Sequence, residues 1–119
     1  MKPWLLAISM LALSASAASA CRVAPIRTLD NQTVTGYMFA TTGRRCGIII
    51  TYTHGPIFST SLVSNAKNGT VMVSGGRISY TSRPGFVGDD EFTYARRGMN
   101  NQNQPIVRTI NVAVKVAAK

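Results

Sequence analysis

The hydrophobic and polar positions of this chain alternate with a period of two, not 3.6. In Ile110-Asn111-Val112-Ala113-Val114-Lys115-Val116 the even positions are β-branched and apolar, and the odd ones small or polar. That spacing predicts a strand with one buried face. Val71 and Val73 are followed, across Ser74-Gly75-Gly76-Arg77, by Ile78 and Tyr80. A Gly-Gly pair between two alternating runs predicts a hairpin, because its tight turn needs positive φ. Glu91-Phe92-Thr93-Tyr94-Ala95 alternates again and sets Phe92 and Tyr94 on one side. Cys46 to Thr53 is dense in β-branched residues and reads as a buried central strand, while Thr33–Ala40 and Pro56–Val63 are weaker candidates. A short edge strand is expected within Val23–Leu29, where Pro25 is tolerated only at an edge or bulge.

Turn signals separate these runs at Asp30-Asn31, Thr42-Gly43, His54-Gly55-Pro56, Asn65–Gly69, Pro84-Gly85 and Asn100–Gln104. No stretch carries an amphipathic helix. About seven short strands at this spacing predict two packed antiparallel sheets, since a single open sheet would leave one face of Ile48–Ile50 and of Ile110–Val116 wet.

The first twenty residues read differently. Lys2 precedes a short apolar run from Trp4 to Leu13, and Ser14–Ala20 is entirely serine and alanine. The pattern is that of a signal peptide (1–20) cut before Cys21, leaving residues 21–119 as one domain in the periplasm or outside the cell. An apolar run of about ten residues is too short for a bilayer core that needs roughly 20, so no membrane span is expected. Cys21 at the first mature position also admits a lipoprotein reading, although Ala18 stands where that signal prefers a leucine. The alternative is a disulfide with Cys46, which would close a loop of about 25 residues and stabilise the fold by roughly 3 kcal/mol in the chain-entropy model. It would leave no free thiol in an oxidising compartment.

From Asn68 to Val116 the sequence resembles the bacterial immunoglobulin-like and cadherin-like domains of large surface proteins. The residues that carry the resemblance are NGTVMVSGGRISYTSRPGFVGDDEFTYARR followed by RTINVAVKV. It implies an immunoglobulin-like sandwich and a structural, adhesive or protein-interaction role in the cell envelope. It also implies a corner built from Tyr80, Pro84, Gly85, Phe86, Gly88, Asp90, Phe92 and Tyr94, in which Asp90 bonds backbone amides. The sequence departs from the pattern at Ser82, where the family often has proline, and it carries one copy, not a tandem array.

Charge adds a second expectation. Lys and Arg number 13 against 4 Asp and Glu, a formal +9 to which Lys2 contributes one. This balance favours anionic partners through long-range attraction. For an exported chain these are acidic glycans, lipopolysaccharide or anionic lipid, and nucleic acid is not expected. The pairs Arg44-Arg45 and Arg96-Arg97 are the candidate contacts; within a strand only one member of each pair can face outward. Asp89, Asp90 and Glu91 are weak Ca²⁺ candidates, because a full site takes six to eight oxygens from several loops. His54 is the sole histidine and reads as an exposed turn residue. With no nucleophile–base pair and no zinc ligand set, the sequence predicts neither enzyme nor cofactor.

Overall fold

A computed structural model describes residues 21–49 and 57–119. The signal-peptide reading of residues 1–20 and the turn histidine His54 lie outside the described residues.

Eight strands run in chain order: β1 (Arg22–Val23), β2 (Thr33–Thr41), β3 (Arg45–Ile49), β4 (Ile57–Ser64), β5 (Gly69–Ser74), β6 (Arg77–Ser82), β7 (Gly88–Met99) and β8 (Pro105–Ala117). They form a five-stranded sheet, β1-β2-β8-β7-β4, packed on a three-stranded sheet, β3-β6-β5. The expected hairpin is β5–β6, turning at Gly75-Gly76. Two strands outrun their sequence signals: β7 continues to Met99 and β8 begins at Pro105, whose missing N–H is harmless at a strand's first residue. Of the predicted edge stretch Val23–Leu29 only the first residue is strand.

The pairing is antiparallel except at one place. β2 runs parallel to β8 from Thr33↔Thr109 to Thr41↔Ala117. Parallel neighbours need a long connection, and here the rest of the domain supplies it. Local alternation cannot reveal such a pairing, because each strand shows the same period whichever way its neighbour runs.

Parity sets the core. Even-numbered residues of β8 (Ile110, Val112, Val114, Val116) and of β7 (Phe92, Tyr94) face inward and are buried, meeting Cys46, Ile48, Ile78 and Tyr80 of the smaller sheet. Phe92 sits at the centre. Its ring centroid lies 6.0 Å from that of Tyr80 on the opposing sheet and 6.4 Å from Tyr94 on its own strand, within the range in which aromatic pairs add to simple burial. Cys21 and Cys46 form the disulfide, with Cα atoms 5.4 Å apart and a sequence separation of 25. It ties the chain just ahead of β1, at the rim of the large sheet, to β3 of the small one, and it occupies the Cys21 thiol that a lipid would require.

Phe92→Ala is expected to cost about 3–5 kcal/mol, the range for an aromatic deleted from a core, read as a lowered urea midpoint with the slope of the transition unchanged.

Candidate functional site

Three places concentrate polar chemistry: the corner at Asp90, the arginines at the opposite end of the sandwich, and the outer faces of the sheets.

Asp90 lies on the inward face of β7 and is 8% exposed. Its Oδ1 accepts the backbone N–H groups of Lys67 (3.0 Å) and Glu91 (2.9 Å). Its Oδ2 accepts the N–H of Asn68 (3.0 Å) and the hydroxyl of Tyr80 (2.8 Å). One carboxylate thus fastens the 65–68 loop to β6 and β7. Burial works to raise its pKa, but these donors outweigh that and hold the group below the usual aspartate range. Tyr80 is shifted the other way, above the usual tyrosine range, first by burial and then by its bond to the Asp90 charge. Gly69 makes room for the arrangement: a Cβ there would stand 2.6 Å from the Thr81 carbonyl oxygen and 2.7 Å from the Tyr80 ring.

The Pro84-Gly85 turn closes beside it. Phe86 N–H donates to the Arg83 carbonyl (3.1 Å), Gly85 takes φ 86°, and the Arg83 guanidinium lies 5.6 Å from the Phe86 ring centroid. Ser82 earns its place here. Its hydroxyl accepts the Gly43 N–H (2.9 Å) and donates to the Arg83 carbonyl (3.0 Å), linking the β2–β3 turn to the corner. A proline could make neither bond.

The acidic trio does not converge on one point. Asp90 faces inward with two donors on each oxygen, whereas Asp89 and Glu91 are exposed on the outer face of β7, Asp89 within 3.3 Å of Lys115 Nζ. Among the described residues no group of three His, Cys, Asp or Glu is placed to hold a metal ion.

At the other end of the sandwich, Arg96 and Arg108 stand opposite each other on β7 and β8 and both point inward, 9% and 3% exposed. Asp30 receives Arg108 through Nε (3.2 Å) and Nη2 (2.7 Å), and Arg96 donates to Thr28 Oγ1 at 3.3 Å. Burial lowers the Arg96 pKa, opposed by Tyr94 and reinforced by Arg108. The 28–32 segment is pinned to the same strand by Asn31, whose Oδ1 accepts the Val107 N–H (3.1 Å). These arginines therefore hold a loop over the open end of the core. Strand parity marks both: Arg96 shares the even positions of Phe92 and Tyr94, and Arg108 those of Ile110 and Val112.

Parity also sorts the arginine pairs. Arg97 faces solvent and Arg96 does not, so the 96–97 pair offers one outward guanidinium. Arg44, in the β2–β3 turn, and Arg45, on the outer face of β3, are both exposed. Arg77 of β6, opposite Ile49 and exposed on the same face as Arg45, is one the sequence did not single out.

The family model for the bacterial Ig domain matches residues 22–112, a span that takes in all eight strands but the end of the last. The chain belongs to the bacterial Ig domain family. No curated protein matches it significantly. Among solved structures it is similar to the crystal structure of a sialyltransferase from Photobacterium damsela, at 15% identity and a TM-score of 0.41, over 73% of this chain and 18% of that one. So low a score carries no argument about function.

In this bacterial Ig domain, Asp90→Asn keeps the shape but sets an amide NH₂ against the donors, and should cost about 2–4 kcal/mol at neutral pH. The sign of the pH dependence follows from linkage. A carboxylate whose folded pKa is depressed contributes fully above its unfolded value of about 3.9 and progressively less as pH falls through the folded value. The gap between wild type and Asp90→Asn should accordingly narrow below about pH 4, as chemical denaturation at a series of pH values would show. Asp30→Ala leaves the buried Arg108 charge without its carboxylate. Because Asp30 is itself partly in solvent, a loss of about 2 kcal/mol is expected, with Asp30→Asn falling between the two.

Proposed function

We propose that this bacterial Ig domain is an exported, non-catalytic module of the cell envelope that works by contact, in a structural, adhesive or protein-interaction role. The Cys21–Cys46 bridge is the observation that carries this reading. It joins the rim of the large sheet to β3 of the small one, and such structural disulfides persist in oxidising compartments such as the periplasm or the cell exterior. Family membership supports the same conclusion, as does the use made of the unusual ionisable groups: Asp90, Tyr80, Arg96 and Arg108 are all engaged in tying loops to strands.

A second reading, a cationic protein that engages anionic envelope polymers, is favoured by charge. Thirteen Lys and Arg oppose four acids, and two of those acids, Asp30 and Asp90, are committed to the internal ties just described.

Intact mass of the protein recovered from the periplasm or medium, with and without reductant, tests the first reading. The expected result is a chain starting at Cys21 that gains the mass of two hydrogen atoms on reduction and carries no added lipid. Recovery from the cytoplasm as a full-length chain with free thiols would overturn it.

A further inference from the structure

We infer that the outer face of the three-stranded sheet is a binding surface for an acidic polysaccharide, held by Arg45 and Arg77 and flanked by Arg44 and Arg83. The inference rests on the second reading above and gives it a location.

Charge is segregated between the faces of this sandwich. The outward positions of the small sheet form three cross-strand rows: Arg45–Thr81–Thr70, Gly47–Ser79–Met72 and Ile49–Arg77–Ser74. No acid stands among them. The four acids lie elsewhere: Asp30 is bonded to Arg108 at the far end, Asp90 is buried, and Asp89 and Glu91 face outward from the other sheet. Arg44 and Arg83 are exposed at the end of the face where Arg45 begins, their turns held together by the Gly43-to-Ser82 bond. With no carboxylate to compete, the field over this surface has one sign.

The Arg77 side chain leans over Gly47 of β3. A Cβ built on Gly47 would touch Arg77 Nη1 at 3.7 Å and Arg77 Cδ at 3.8 Å. The Arg77 side chain therefore lies along the sheet over the bare backbone of β3, its guanidinium beside a residue two positions from Arg45. That spacing is about 7 Å along a strand. Two planar forks so placed can each take a carboxylate, sulfate or phosphate oxygen pair on successive units of an extended polymer. Hydroxyls at Thr70, Ser79 and Thr81 supply bonds to its sugars.

The chemistry of the face selects among polyanions. Among its described residues there is no aromatic ring on which a nucleobase would stack. Its exposed apolar side chains, Ile49 and Met72, are in different rows with Arg77 and Ser79 between them, and form no continuous patch to enter a lipid surface. A hydroxylated, acidic chain lying flat is what remains.

The test uses immobilised heparin as the probe, with the disulfide-bonded protein and a salt gradient. Arg45→Glu with Arg77→Glu should weaken binding about tenfold near 0.1 M salt, whereas Arg22→Glu with Arg97→Glu, the same change in net charge on the other sheet, should elute close to wild type. Gly47→Thr, which alters no charge but sets a branched side chain against the Arg77 chain, should elute between wild type and the first pair. Melting curves confirm that each variant folds. Equal losses in the two charge-reversed pairs would mean that only net charge matters and would overturn the assignment of the face. Failure of the wild type to bind would remove the polyanion reading itself, leaving the envelope-module reading to its own mass measurement. Vesicles of phosphatidylglycerol or a single-stranded oligonucleotide, bound as tightly as heparin with the same loss in Arg45→Glu/Arg77→Glu, would transfer the face to a different partner and end the polysaccharide claim.

Discussion

A single buried carboxylate holds the corner on which this sandwich closes. Asp90 takes four donors from three separate stretches of chain, and it can do so only because Tyr80 reaches it from the opposing sheet while Gly69 leaves space for the Tyr80 ring. The tie and the aromatic core reinforce each other. Tyr80 stacks on Phe92 through its ring and anchors to Asp90 through its hydroxyl, so the two sheets cannot slide past one another without giving up both an aromatic contact and a charged hydrogen bond. The second consequence falls on the chain leading into β5. The 67–68 amides, which would otherwise need water, are satisfied internally, and β5 is delivered in register to its partner.

The far end of the molecule solves the same problem with opposite charge. There the 28–32 segment lies against the inner-facing arginines of β7 and β8. Arg108 and Arg96 reach inward to Asp30 and Thr28, so the loop is held by side chains of the strands it covers. An anion at one end and cations at the other each secure a loop that backbone pairing alone would leave loose. The consequence for function is subtractive. Charges used inside are unavailable outside, and the surface that remains is basic on the small sheet and mixed on the large one.

Glycine contributes to this division by absence of a side chain, not by turn geometry alone. Gly69 lets Tyr80 approach the backbone of β5, and at Gly47 the Arg77 side chain lies against the bare backbone of β3. One serves the interior, the other the surface.

Most of the architecture was legible in the residues themselves. Alternation in β5 to β8 was sharp enough to locate strands, hairpin and buried aromatics, and an even count of cysteines with no other use pointed to the bridge. Parity allowed only one of Arg96 and Arg97 to face outward, and the fold turns Arg96 inward. What alternation could not supply was anything that depends on a distant neighbour: the parallel seating of β2 on β8, the partner of Asp30, the four donors converging on Asp90, and the acid-free rows around Arg77. A period of two reports which side of a strand a residue occupies. Which side chain it meets there is decided when strands far apart in sequence are laid together, and that is a property of the packed fold.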